Sequence, residues 1–122
     1  MNKLVFNRET LQTWKEIDPD NWQKIALDIL IVFLEAAKSQ TQELFLALDK
    51  KDGPSTKVAA HKLKSSCGNV GADAAHFFLD ELEKNALQLE ATDFGKHRDE
   101  FRKLIDSTIK EAEIFESDLR SN

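Results

Sequence analysis

The sequence predicts an all-α protein: an antiparallel up-and-down four-helix bundle with a short additional N-terminal helix. Three observations carry that expectation. Apolar residues recur at three- and four-residue spacing along the whole chain, and no alternating stretch is long enough for a strand. Four Gly and two Pro in 122 residues leave little material for turns, which favours few, long elements. The connections after residue 50 are short, so consecutive helices should run antiparallel.

A short helix over about residues 8–17 carries Leu11, Trp14 and Ile17. It stops at Asp18-Pro19, where Asp18 is placed to cap a second helix with Pro19 in its first turn. That second helix holds Trp22, Ile25, Ala26, Ile29, Leu30, Phe33 and Leu34. It either continues through Leu44, Phe45 and Leu48 or restarts at a capping box in Ser39-Gln40-Thr41-Gln42. Lys50 to Gly53 forms the next stop, and Pro54 suits the start of a third helix that runs to about Val70 and ends at Gly71. A fourth helix repeats Ala75, Phe78, Leu79, Leu82, Ala86 and Leu89 at helical spacing. Thr92 to Gly95 reads as a turn, and a fifth helix follows with Phe101, Leu104, Ile105, Thr108, Ala112, Phe115 and Leu119 on one side. Trp14 and Trp22 flank Asp18-Pro19 and should pin the short helix to the bundle, which spans about 19–119 in a single domain of residues 1–122.

Composition narrows the classes of function. A lone cysteine, Cys67, excludes an intrachain disulfide and suits a reducing compartment. The start, MNKLVFNRET, is too short in apolar residues for a signal peptide. The longest apolar run, Ile29 to Leu34, falls far below the ~20 residues a membrane span needs. A cytoplasmic protein without membrane contact is therefore expected. The net charge of −5 argues against nucleic acid as a partner. Charge is unevenly spread, however. The stretch from Gly53 to Ala72 holds Lys57, Lys62 and Lys64 and no acid, so the rest of the chain sets 14 basic against 22 acidic groups.

At the centre of this basic island stands His61. On a helical wheel of about 100° per residue with His61 at zero, Ala59, Val70, Leu63 and Cys67 fall at roughly 160°, 180°, 200° and 240°. The apolar face lies opposite the histidine, which should point to water. Lys57, Lys64, Ser65 and Gly68 share its face. Ser65 and Gly68 are small and leave the ring standing clear. Gly68 in mid-helix costs about 0.5–1 kcal/mol relative to Ala, so close approach of another surface is its expected reason. Lysines beside the ring would become favourable partners of an anion attached to it. Such a site suits a group that takes up and gives away a phosphoryl.

His61-Lys62-Leu63-Lys64-Ser65-Ser66-Cys67-Gly68-Asn69-Val70-Gly71-Ala72 resembles the signature of histidine-containing phosphotransfer (HPt) domains, His-x-Leu-Lys-Gly-Ser-x-x-x-Leu-Gly-Ala. The similarity extends to the apolar helix ending near Phe33, the Leu-x-x-Ala-Leu-Asp stretch before the histidine helix, and Leu82-Glu83. Ser65 stands where the pattern usually has glycine, and Val70 replaces leucine. The resemblance implies a four-helix bundle and a phosphorelay role, with His61 as phospho-acceptor and Lys64 steadying the phosphoryl oxygens. Leu63 matches a core position and Gly71-Ala72 the helix end. It also implies receiver domains of response regulators and a hybrid sensor histidine kinase as partners. Lys57, Lys62, Ser65, Gly68 and Asn69 are the residues expected to meet them. No cofactor of its own is expected, the Mg²⁺ being supplied by the receiver.

The chain should carry no ATP-dependent kinase activity, because Gly68-Asn69-Val70-Gly71 is too short for a phosphate-binding loop and lacks its lysine. A monomer is expected. The rival reading is a helical interaction adaptor in which His61 is incidental. A di-iron bundle would need inward Glu-x-x-His pairs; the nearest stretch, Asp73-Ala74-Ala75-His76, aims His76 away from the apolar stripe. His76 and His97 read as solvated helix residues, and Cys67 as a small core residue.

Overall fold

The computed structural model describes residues 3–121, and among them there is no strand. Two single-turn helices, α1 (Glu9–Gln12) and α2 (Trp14–Ile17), precede four longer ones. These are α3 (Trp22–Asp49), α4 (Gly53–Val70), α5 (Asp73–Asn85) and α6 (Asp93–Arg120), with a 3₁₀ turn at Ala86–Gln88. Each long helix packs on the one before it, and α6 closes back onto α3. The bundle is therefore a ring of four helices in which α4 lies between α3 and α5.

Helix α3 is continuous over 28 residues, so no capping box operates at Ser39. The Ser39 hydroxyl instead donates to the Ala36 carbonyl of the preceding turn (3.3 Å), and Thr41 faces the core. Helix α4 starts with Asp52 as its cap: the carboxylate accepts from the Ser55 N–H at 3.0 Å and the Ser55 hydroxyl at 2.7 Å, with Pro54 in the first turn. These bonds hold the Asp52 carboxyl below the usual carboxylate range. The helix ends where Gly71 adopts a left-handed φ of 89°.

Several boundaries differ from the sequence reading. The N-terminal helix is broken at Thr13, whose hydroxyl turns back to the Thr10 carbonyl at 2.8 Å. The second turn then fails to carry Ile17 onto the bundle, and Ile17 is 72% exposed while Leu11 is buried. Asp18 does not cap a helix at Pro19. Its carboxylate accepts from the Asn21 N–H and side-chain amide, forming a turn that delays α3 to Trp22. Helix α5 stops at Asn85, which sends its side-chain amide back to the Glu81 carbonyl (2.8 Å), and the next residues tighten into the 3₁₀ turn. Gly95 lies inside the first turn of α6 rather than in a connection.

The core is a layer of leucines and phenylalanines shared by all four long helices. Leu30, Leu44, Leu48, Leu63, Leu79, Phe101 and Ile105 are fully buried. The Phe101 ring stacks on Phe78 at 5.5 Å and meets Phe45 edge-on at 6.1 Å. Cys67 is completely enclosed, and burial pushes its thiol up to about 12. Trp14 and Trp22 are half-buried, the latter against the core with the Lys15 ammonium 4.5 Å above its ring. The tryptophans thus do pin the N-terminal segment.

An N-terminal strap completes one end of the bundle. The Asn7 N–H donates to the Gly71 carbonyl at 2.7 Å, and the Ala74 N–H donates to the Leu4 carbonyl at 2.9 Å. Phe6 packs edge-on against Phe115 at 6.0 Å, and Arg8 pairs with Asp118 at 2.8 Å while lying over the Phe115 ring. At Gly71 a Cβ would run into the Asn7 carbonyl and the Thr10 side chain. Gly71→Ala should therefore cost about 1–3 kcal/mol from backbone strain, and more if the strap is displaced. Urea unfolding followed by circular dichroism measures this; an unchanged midpoint would mean that the strap and the left-handed residue are dispensable.

Candidate functional site

Helix α4 buries Ala59, Ala60, Leu63, Cys67 and Val70 and turns His61 outward, leaving its side chain 63% exposed near the middle of the helix. The neighbour that meets it comes from α5. His61 and Lys64 are separated by three residues on α4, as are Asp80 and Glu83 on α5, so each pair occupies one helix face. Across the seam the two pairs interlock. His61 Nδ1 lies 3.0 Å from Glu83 Oε2, and Lys64 Nζ lies 2.8 Å from Glu83 Oε1 and 3.2 Å from Asp80 Oδ1. Asp80 Oδ2 in turn accepts from Lys84 Nζ at 2.9 Å.

Electrostatics fixes the protons in this cluster. The Lys64 ammonium, and after it the His61 ring, hold the Glu83 carboxyl below the usual range against the opposing effect of partial burial. Lys84 first, then Lys64, do the same for Asp80. Glu83 and, after it, Asp80 raise the Lys64 amine above its ordinary value. An ionised carboxylate can only accept, so His61 Nδ1 must carry the hydrogen that bonds Glu83. In the neutral ring this leaves the lone pair on Nε2.

Gly68 is covered from within the chain. The close approach its lack of a side chain permits is made by His76 of α5, whose Nδ1 lies 3.1 Å from the Lys64 carbonyl. A Cβ on Gly68 would come within 3.0 Å of that same nitrogen. A carbonyl cannot donate, so His76 Nδ1 bears the hydrogen. His76 is exposed, as its wheel position implies, and also ties α5 to α4.

Two of the three lysines of the basic island are matched by acids from other helices. Lys62 Nζ lies 3.5 Å from Glu43 of α3, and Lys64 is held by Asp80 and Glu83. The local excess of positive charge seen along the sequence is thus largely cancelled in space. Lys57, Ser65 and Asn69 are exposed on the outer face of α4. Ser65 bonds back to the His61 carbonyl at 3.3 Å, and Ser66 Oγ donates to Gln40 Oε1 at 2.8 Å. Asn69 and Ser66 line a groove of about 520 Å³ between α3 and α4, floored by Trp14, Ile29, Val32 and Phe33.

Glu83 and Asp80 were not among the site residues read from the sequence. Their signal was their shared face with His76 opposite the Ala75–Leu79–Leu82 stripe, which no single-helix wheel could connect to His61. His97 is a correction of another kind. It is half-buried with its ring edge-on to Phe78 at 6.1 Å, so it is not a solvated helix residue. Its place four residues before Phe101 on α6 was the available clue. Among the described residues, no group of three or more His, Cys, Asp or Glu side chains is placed to hold a metal ion, and no helix is long and apolar enough to cross a membrane.

The crystal structure of histidine-containing phosphotransfer protein B (HptB) from Pseudomonas aeruginosa PAO1 superposes with a TM-score of 0.76 over 99% of each chain. Sequence identity is 17%, so that likeness speaks for the fold. No curated protein sequence matches the chain. The family model for the Hpt domain matches residues 28–111, which includes α4, α5 and the whole His61–Glu83–Lys64–Asp80 cluster. With that match over well more than half of its length, the chain belongs to the Hpt domain family.

Proposed function

We propose that this protein is a phosphorelay intermediate that takes a phosphoryl group onto His61 from the aspartate of one receiver domain and passes it to another. The observation that carries the reading is the His61–Glu83 hydrogen bond on an exposed helix face. It presents Nε2 as the nucleophile and keeps Nδ1 protonated throughout.

In the forward step the Nε2 lone pair attacks phosphorus in line, forming the N–P bond as the P–O bond to the receiver's aspartate breaks. The electron pair of that bond leaves on the receiver's carboxylate. Nδ1 keeps its hydrogen, so the ring becomes a phosphorylated imidazolium. Glu83 already faces Nδ1 and stabilises the positive charge as it develops, without reorganising. Lys64, one turn from His61, offsets charge on the transferring oxygens. In the return step an incoming carboxylate attacks phosphorus and the N–P electrons go back to Nε2. The receiver would bring the Mg²⁺ that phosphoryl transfer between the two proteins uses. Ser65 leaves room beside the ring for its approach, with Lys57, Lys62 and Asn69 around it; Gly68 acts indirectly, by seating His76. The protein works as a monomer and does not phosphorylate itself from ATP.

Mixed with a phosphorylated receiver and Mg²⁺, the protein should gain a label that is lost in acid and kept in base, as a phosphoramidate is. His61→Gln should abolish the label with the helical signal intact, since an exposed side chain contributes little to stability. Labelling that persists in that variant would move the chemistry elsewhere. Lys64→Ala should slow transfer about tenfold or more while leaving the fold in place; an unchanged rate would reduce Lys64 to a solubilising residue. Glu83 has its own readout. Nitrogen NMR of His61 in its neutral form should show the Nδ1–H tautomer in the native protein and a loss of that bias in Glu83→Ala. The same tautomer ratio in both would remove Glu83 from the mechanism.

A further inference from the structure

Asp80 touches neither His61 nor any residue of the motif pattern except Lys64, yet it sits at the junction of the cluster. Its Oδ1 takes Lys64 at 3.2 Å and its Oδ2 takes Lys84 at 2.9 Å. The Lys64 ammonium has three hydrogens. Glu83 and Asp80 each pair with it, which leaves one of the three free. With a neutral histidine, the charges of His61, Glu83, Lys64, Asp80 and Lys84 sum to zero. A phosphoryl group arriving on Nε2 therefore enters a site whose lysine is already paired with two carboxylates.

We propose that Asp80 is a positioning residue that competes with the phosphoryl group for Lys64, and thereby limits how firmly His61 holds the phosphoryl it receives. The inference rests on the reading of His61 as phospho-acceptor. On phosphorylation the oxygens draw Lys64 from Asp80, while Lys84, already on the other carboxylate oxygen, keeps Asp80 from being left without a counter-charge. The exchange swaps one anion for another around the same ammonium, so its net drive is small. That suits a histidine which must release its cargo as readily as it accepts it. Glu83 is less suited to this part, because its other oxygen is already bonded to Nδ1.

The test is the equilibrium distribution of phosphoryl between a receiver and the protein, at fixed Mg²⁺. Asp80→Asn should raise the phosphohistidine fraction relative to phosphoreceiver about two- to fivefold, the scale of an exposed ion pair. Asp80→Glu, which restores the carboxylate, should return most of the way to the native ratio. Glu81→Gln, a neighbouring exposed acid with no contact to Lys64, should leave it unchanged. In a Lys64→Met background, the Asp80→Asn shift should disappear. A shift that survives without Lys64, a change in the opposite direction, or no change would each overturn the proposal. Should the native protein take no label at all, the phosphorelay reading itself fails. The Asp80–Lys64 link is still tested by the NMR titration of the Lys64 amine, which should move down towards its ordinary value in Asp80→Asn; an unmoved titration overturns the link independently of any receiver.

Discussion

A single carboxylate organises the site. Glu83 binds the ring of His61 with one oxygen and the ammonium of Lys64 with the other. The residue that would carry the phosphoryl and the one that would steady it are therefore set by the same group on the facing helix. This arrangement demands that α4 and α5 keep their register to within a fraction of a turn. The short Gly71-Ala72 connection, the left-handed backbone at Gly71 and the His76 bond to the Lys64 carbonyl all serve that register. The core beneath does the same from inside, since Leu63, Cys67, Leu79 and Leu82 are buried.

The bundle and the outward direction of His61 were legible in the sequence because both follow from periodicity along single helices. The apolar stripe of α4 opposes His61 whatever α4 packs against, and α6 buries its aligned residues from Phe101 to Leu119 with only Leu104 partly exposed. What periodicity could not supply were relations between helices. The partners of Lys62 and Lys64 come from α3 and α5, so two of the three charges of an island that looked basic along the chain are offset in space. Gly68 was legible as a place of close approach, but the approaching group proved to be His76 of the same chain. Helix ends were misread where polar side chains took over backbone bonds: Thr13, Asp18 and Asn85 each redirect the chain through a local hydrogen bond that propensity does not register.

The two histidines of the α4–α5 seam show how the same ring serves two purposes. His61 and His76 both donate from Nδ1, one to a carboxylate and one to a backbone carbonyl. The carboxylate can follow a change of charge on the ring it holds, whereas the carbonyl is a fixed dipole within a helix. The first environment suits a ring that changes charge in use, and the second a ring that only holds two helices together. Their difference lies in the acceptor and not in the histidine.

The strap from Leu4 to Arg8 has a consequence for how the chain reaches this structure. Contacts between successive helices join residues near in sequence, and such contacts form quickly. The strap instead joins the beginning of the chain to Gly71 and Ala74 and, through Arg8 and Asp118, to its far end. Loop closure over such distances is entropically costly until the helices it bridges already exist. The strap can gain its bonds only once the turn between α4 and α5 exists for it to rest on. The site's alignment thus draws on contacts local to α4 and α5, and the strap adds a long-range brace across the turn between them.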